Sequence, residues 1–438
     1  MLNVFKIILL ISVLIMPDYY ILESPFSLKI LALFLLFFTY LIDVLGVLKK
    51  QIEISRNTQK IILVAFVMLL YIYISDIFKG DFVEASRRFY PNVLILTVLP
   101  IFEYNRKSFD LYKTLGIIFG ISVFFAIFQM LGLRHNLSTL LPELSIIKSS
   151  QLIDAATEQG LRVSGPGFSI INFSLYLGYF IIVIQYHFTQ RGNIFLMIPL
   201  AVGALVLFFT GTRSAIYGLL PSILLVRFLY GKRNVKEMFK LLIIIATVSI
   251  SLALLSESIQ SRFQRFYKPF DASVIERFQT NYYATIGVLK ESPFFGIPKE
   301  ETSDVISRTV EEMGIFFGDT VRVTTTHHNQ ILYYFRYYGL VGVIFIGMLY
   351  LMVFRKILAT PSQITKMIFL SIIVFDLQFS MAHNNKLLHN IVFWVLLSLA
   401  SEQTLPFQEQ EYRLIPSANF NSKKGNRFNS ANLKMNPV

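Results

Sequence analysis

Apolar runs of about 17 to 23 residues recur along almost the whole chain, and each is long enough for a helix to cross the ~30 Å hydrocarbon layer. In lipid every backbone N–H and C=O must be satisfied inside the protein, which leaves helices or closed barrels as the spanning structures. About twelve runs are present, at 4–22, 27–47, 60–78, 91–104, 113–133, 167–188, 194–211, 213–230, 239–256, 332–354, 367–383 and 387–402. Those at 91–104 and 387–402 are short for a span. The chain therefore reads as an all-α polytopic membrane protein with about 12 transmembrane helices. Its 438 residues are 54% hydrophobic and 15% charged, which lies outside soluble globular usage.

The first run is too long for a signal-peptide core and lacks a small-residue cleavage site before "LESPFS", so it is expected to stay as an anchor helix. Cysteine is absent. Disulfides, thiolate metal sites and a cysteine nucleophile are thereby excluded. A formal charge of +13 would suggest nucleic acid in a soluble protein. Here the basic residues of short loops more simply fix orientation, and no nucleic-acid partner is expected.

With the N-terminus in the cytoplasm, the inside connections are "KKQIEISRNTQK", "YNRKSFDLYK", "TQRGN", "GKRNVKEMFK" and "RKILATPSQITK", together with the basic tail. Each is short and basic, as the positive-inside rule requires. The expected organisation is a transmembrane helical domain over 1–402, an extracytoplasmic loop at 257–331 between helices 9 and 10 with amphipathic helices within it, and a disordered cytoplasmic tail at 403–438. No internal repeat relates the two halves, which weakens a transporter built from two similar units. The outside loops 134–166 and 257–331 are long, and topology does not explain their arginines, because long loops cross largely regardless of charge.

Within the second loop, "ASVIERFQTNYYATIGVLK" sets Ile275, Phe278, Tyr282, Ile286 and Leu289 at three- and four-residue steps. This predicts an amphipathic helix lying along the outer membrane surface, with Arg277 and Asn281 one turn apart on its other face. "ESPFFGIP" breaks it through Pro293 and Gly296, and a second short helix begins at Ser303 as N-cap and ends at Gly314. "TTTHHNQILYYFRYYGLVGVIFI" then places His327 and His328 just before the tenth membrane helix. A neutral imidazole there can take a proton from a hydroxyl at working pH, or simply cap the helix. The pair lacks a third or fourth metal ligand at useful spacing and the chain has no Asp-x-Asp, so a metal-dependent sugar-nucleotide transferase is disfavoured. No metal and no cofactor are expected.

"FFTGTRSAIYGLL" puts Arg213 at the outer turn between the seventh and eighth helices, on the side that also carries Arg87, Arg88, Arg162, Arg277, His327 and His328. A charge at the bilayer centre costs ~3 kcal/mol on insertion scales and less at the interface, so an arginine at that depth wants an anionic partner. Snorkelling to lipid phosphate is one explanation. The other is a site for a phosphate or diphosphate, whose oxygens the planar guanidinium matches bidentately.

Four stretches resemble the O-antigen ligase and polymerase superfamily of bacterial envelope glycan transferases, in the right order over roughly 160–346. "LRVSGPGFSIINFSLYLGYF" is similar at Arg162 and Gly165, and "TGTRSAIYGLL" at Arg213. "ERFQTNYYATIGVLKESPFFGI" is similar at Arg277, Ala284, Pro293 and Gly296, with Tyr282 or Tyr283 where the family often has Trp. "HHNQILYYFRYYGLVG" is similar at His328, Asn329, Leu332, Gly339 and Gly342. The first 150 residues resemble the family only as hydrophobic helices, although "ASRRFYPN" offers Arg87 and Arg88 for an arginine often found there.

The resemblance implies a GT-C-like, metal-independent glycosyltransferase in the bacterial cytoplasmic membrane, with both termini cytoplasmic. Its donor would be an undecaprenyl-diphosphate-linked glycan, and its acceptor glycan either lipid-linked or lipid A core. Arg213 and Arg277 would hold the diphosphate, with Arg162 and Arg87 or Arg88 contributing. Asn329 joins the substrate-binding residues, and His328 would be the base, with His327 in reserve. Membrane lipid is an implied partner and a chain-length regulator a candidate one. The motifs do not separate polymerase from ligase. Nothing identifies a lipid A core site, which favours a polymerase of surface polysaccharide repeat units. A lipid-linked glycan flippase is the more distant alternative; it should place its ionisable residues in helices lining a central path.

Overall fold

The computed structural model describes residues 2–15, 28–46, 54–80, 82–104, 111–130, 163, 165–166, 170–191, 194–230, 272–313, 329–383 and 387–400. Among the described residues the fold is all-helical. The α-helices are α1 (Leu2–Ile15), α2 (Leu28–Gly46), α3 (Arg56–Phe78), α4 (Phe82–Tyr104), α5 (Leu111–Met130), α6 (Ile170–Arg191), α7 (Met197–Thr210), α8 (Arg213–Tyr230), α9 (Ala272–Glu291), α10 (Thr302–Glu312), α11 (Gln330–Leu358), α12 (Gln363–Ala382) and α13 (Ile391–Leu399). Every apolar run of the sequence coincides with a helix except 239–256, which lies outside the described residues, as does the tail 403–438.

Among the described residues, five helical stretches are long and apolar enough to cross a membrane: Arg56–Phe78, Leu111–Met130, Ile170–Phe188, Gln330–Leu358 and Gln363–Ala382. The run 387–402 does not form a full span. It is a 3₁₀ turn, Leu387–His389, followed by the 9-residue α13, only about 14 Å long. Trp394 and its neighbours are fully buried, so α13 is wrapped in protein rather than lipid. The run 91–104 errs the other way. Its helix begins at Phe82 and carries Pro91 and Pro100 inside it, and Asn92 Nδ2 donates to Arg88 O at 2.7 Å beside the first proline. Arg87 and Arg88 therefore lie in the opening turns of α4.

Two polar clusters tie the helices together. At one end Lys356 of α11 pairs with Glu103 of α4 at 3.0 Å, and its Nζ donates to Thr58 Oγ1 at 2.8 Å. The Ser55 backbone N–H donates to Glu103 Oε1 at 3.0 Å, while the Ser55 side chain caps α3. Both charges are buried, with side chains 0% and 6% exposed. Such a pair persists only because its hydrogen bonds are complete. The cluster joins the start of α3 to the ends of α4 and α11, so three connections expected on the inner side share one end of the molecule.

In the helical interior Asp376 of α12 accepts hydrogen bonds from the Tyr179 hydroxyl of α6, the Tyr350 hydroxyl of α11 at 2.8 Å, and Asn390 Nδ2 at 3.4 Å. Tyr350 also donates to Gln330 Oε1 at 3.1 Å, which links the cluster to the first residue of α11. Interhelical bonds of this kind hold helices in register where lipid provides no hydrophobic drive. The ionisable residues are thus not confined to the outer loops.

Lys356→Met should destabilise the fold by about 3–5 kcal/mol because it leaves Glu103 buried without a counter-charge. Joining it with Glu103→Gln should recover most of that loss, as read by thermal unfolding in detergent.

Candidate functional site

At the other end α11 is broken. Gly339 sits at φ 61, ψ −158, a region open essentially to glycine alone. The break strands carbonyls of the first half-helix and N–H groups of the second. A turn following α9 and side chains of α3 take up both sets. Ile297 N–H donates to Arg336 O at 2.8 Å, Lys79 Nζ to Tyr337 O, and the Tyr71 hydroxyl to Tyr338 O at 3.0 Å. In return Leu340 and Val341 N–H donate to Pro293 O at 2.9 Å and Phe294 O at 3.3 Å. The turn is shaped by Gly296, at φ +72, and the two backbones touch: a Cβ on Gly296 would strike Tyr337, and one on Gly339 would strike the Phe294 carbonyl. The Pro-x-x-Gly and Gly-x-x-Gly stretches are therefore two halves of one joint.

This joint positions the loop helices. α9 and α10 pack through Tyr283, Ala284 and Ile306, and through Val288, Ile297 and Val305, with ion pairs Lys290–Glu312 at 2.7 Å and Arg308–Glu291 at 2.9 Å. The buried face of α9 is Thr280, Tyr283, Ala284 and Val288. Of the stripe read from sequence, Tyr282 and Leu289 point away from this packing, 48% and 56% exposed. α10 starts at Thr302 rather than after Ser303, because Thr302 Oγ1 bonds Pro298 O at 3.1 Å and ties the helix start to the preceding turn. Gly314, expected to end that helix, lies outside the described residues.

Asn329 caps α11. Its side-chain oxygen accepts from Leu332 N–H at 3.1 Å, which fixes the point at which the chain leaves the His327–His328 segment. Those two histidines and Arg162 lie outside the described residues, as do the side chains of Arg87 and Arg277.

Arg213 opens α8 and is half-buried. Gly211, left-handed at φ 65, ends α7, and Thr212 O accepts from Ala215 and Ile216 N–H at 3.1 and 3.3 Å. A cation at a helix N-terminus meets the unfavourable end of the dipole, where an anion is favoured. Nearby, Thr212 Oγ1 and Ser214 Oγ are buried, and among the described residues neither finds a hydrogen-bond partner. The segment following Arg162 docks here: Val163 N–H donates to Phe209 O at 3.4 Å. Gly165 exchanges bonds with the Gln129 side chain at 2.9 and 3.2 Å. Val163, the residue after Arg162, thus contacts the end of α7 beside the turn that carries Arg213.

Arg88 lines a cleft with Asp76, Lys79, Ile297, Lys299, Glu300, Tyr333, Tyr337 and Tyr338. It pairs with Asp76 at 3.6 Å, and the Tyr338 hydroxyl donates to the same carboxylate oxygen at 3.3 Å. Burial pushes the Lys79 ammonium down to about 8, against the opposing pull of Asp76 and Glu301. Sequence reasoning did not single out Asp76, Lys79, Lys299 or Glu300, because their significance arises only where α3, the turn and α11 meet.

Residues 196–347 match the family model described as O-antigen ligase. That stretch, about a third of the chain, is similar to the O-antigen ligase family. It runs from the start of α7 to the middle of α11 and includes Arg213, Arg277, His328 and both halves of the joint. Arg162, Arg87 and Arg88 fall outside it. No curated protein matches the chain.

Gly339→Ala, with a strained backbone and a clash against Phe294, should cost about 3 kcal/mol or more, and should show as a large fall in melting temperature. An amine-directed reagent should label Lys79 with a rate that rises through about pH 8, whereas ordinary lysines respond only near pH 10; peptide mass spectrometry reads the difference.

Proposed function

We propose that the protein is a multi-pass glycosyltransferase that moves an undecaprenyl-diphosphate-linked oligosaccharide onto an acceptor sugar at the outer face of the cytoplasmic membrane, polymerising surface polysaccharide repeat units. The observation that carries this reading is the start of α8. There a half-buried arginine, a helix N-terminus and two buried unpaired hydroxyls coincide, beside a segment that enters directly after Arg162 and within the stretch matched to the family. That chemistry suits a diphosphate.

In this mechanism Arg213 and Arg277 hold the donor diphosphate, with Arg162 and Arg87 contributing. Their fixed charges stabilise the negative charge that grows on the departing diphosphate as the glycosidic bond breaks. Positive side chains thus serve where sugar-nucleotide enzymes commonly use a divalent ion. His328 accepts the proton of the acceptor hydroxyl as its oxygen attacks the anomeric carbon and inverts the configuration. His327 is the alternative base, and Asn329 holds the pair at the head of α11. The fold is GT-C-like, the loop 257–331 lies outside, and the N-terminus is cytoplasmic. Arg88, paired with Asp76 at 3.6 Å, is the alternative to Arg87 in holding the diphosphate.

A ligase that joins the glycan to lipid A core is the second reading, favoured by the description of the matched family. Purified protein given the lipid-linked glycan alone should yield a ladder of repeat lengths. A product formed only when lipid A core is added would establish the ligase instead.

Arg213→Ala should lower turnover by roughly 10²- to 10³-fold and His328→Ala by roughly 10²- to 10⁴-fold, with lipid-linked donor accumulating on the outer leaflet in cells. Accumulation on the inner leaflet would indicate a flippase. Full transfer by a protein lacking both His327 and His328 would remove the base assignment.

A further inference from the structure

Phe294 and Phe295, in the turn that closes the joint, are 59% and 62% exposed, while the next two residues, Gly296 and Ile297, are buried. Adjacent apolar rings left open on a packed turn mark a contact with another surface. The helices beneath them identify that surface.

α3 and the second half of α11 run antiparallel and are bonded near both ends. Lys356 Nζ donates to Thr58 Oγ1 at 2.8 Å, and beside the joint Lys79 Nζ donates to Tyr337 O and the Tyr71 hydroxyl to Tyr338 O at 3.0 Å. Between these ends lie about 30 Å of α3, from Thr58 to Phe78, and about 26 Å of α11, from Gly339 to Lys356. Each length matches the hydrocarbon layer. Over it each helix carries an exposed apolar stripe at three- and four-residue steps: Leu63, Val67, Leu70, Ile74 and Phe78 on α3, and Leu340, Ile344, Met348, Leu351, Phe354 and Leu358 on α11. The turn joins the ends of the two stripes. Val341 N–H, next to Leu340, donates to Phe294 O at 3.3 Å, and Lys79 Nζ, next to Phe78, donates to Phe295 O at 3.1 Å. The exposed rings therefore continue the lipid-facing surface to the level where the hydrocarbon ends.

The backbone of the turn suits that level. A turn in water can leave its carbonyls to solvent, whereas beside hydrocarbon each carbonyl needs a donor from the protein. Four consecutive carbonyls have one. Ser292 O accepts from Gly296 N–H and Pro293 O from Leu340 N–H, both at 2.9 Å, and Phe294 O and Phe295 O accept as above. We propose that the turn at 293–296 is an interfacial anchor, with Phe294 and Phe295 inserted at the boundary between lipid headgroups and acyl chains, and that it seats α9 and α10 on that face of the membrane. The partner is the bilayer itself. This inference does not rest on the glycosyltransferase reading.

The chain has no cysteine, so single cysteines can be introduced without removing others. The test places a nitroxide on Phe294→Cys and, separately, Phe295→Cys in the full chain in phosphatidylcholine–phosphatidylglycerol nanodiscs. Leu70→Cys, midway along α3, and Glu311→Cys, on α10, serve as references for hydrocarbon and water. All four positions are exposed, so the changes spare the packing. Electron paramagnetic resonance measures collisions with oxygen, which concentrates in hydrocarbon, and with a nickel chelate, which stays in water. Nickel access at both turn positions should be at least severalfold below that at Glu311→Cys, with oxygen access between the two references. Nickel access equal to that at Glu311→Cys would place the turn in water and overturn the anchor. Protection from both reagents would show that another protein surface covers the rings, and oxygen access equal to that at Leu70→Cys would put the break in mid-bilayer; either result overturns it as well.

Discussion

The described architecture depends on one backbone joint. A membrane-length helix cannot be broken in lipid unless every peptide group it frees is satisfied, and the break at Gly339 is satisfied by the turn at 293–297 together with Lys79 and Tyr71. The exchange is reciprocal, with N–H groups and carbonyls passing in both directions. Two glycines are required because the main chains approach within contact distance, where any Cβ would collide. The joint anchors α9 and α10 to the membrane helices and fixes the cleft.

Two other networks set the helices on either side of it. Lys356 and Glu103 lock the far ends of α4 and α11 to the start of α3. Asp376 gathers three hydrogen-bond donors from α6, α11 and the segment before α13. Both bury charge in a low-dielectric setting, where incomplete pairing is expensive and complete pairing specifies a single arrangement. Through Tyr350 and Gln330 the second network reaches the residue after Asn329, so the head of α11 is held from the interior as well as by its cap.

The α7–α8 turn and the cleft gather polar residues of different kinds. The turn combines an arginine with a helix N-terminus, a setting for an anion, whereas the cleft interleaves both signs of charge with tyrosines.

Hydrophobic run length determined the helical class and most helix positions, since a span needs its apolar residues in one continuous stretch, and Arg213, Gly296 and Gly339 stood out because their types are unusual where they occur. The sequence pattern also marked α9 and the exposed side of its apolar stripe at Tyr282 and Leu289, but not the face of Tyr283, Ala284 and Val288 that packs on α10 and the turn, because that packing partner is known only from the tertiary structure. Tertiary structure alone decided that α13 is a buried short helix, that Arg88 pairs with Asp76, and that Lys79 lines a cleft with Glu300 and Tyr333. Lys79 stands more than 200 positions from Glu300 and Tyr333 in the chain, and no local propensity records a contact made across such a distance.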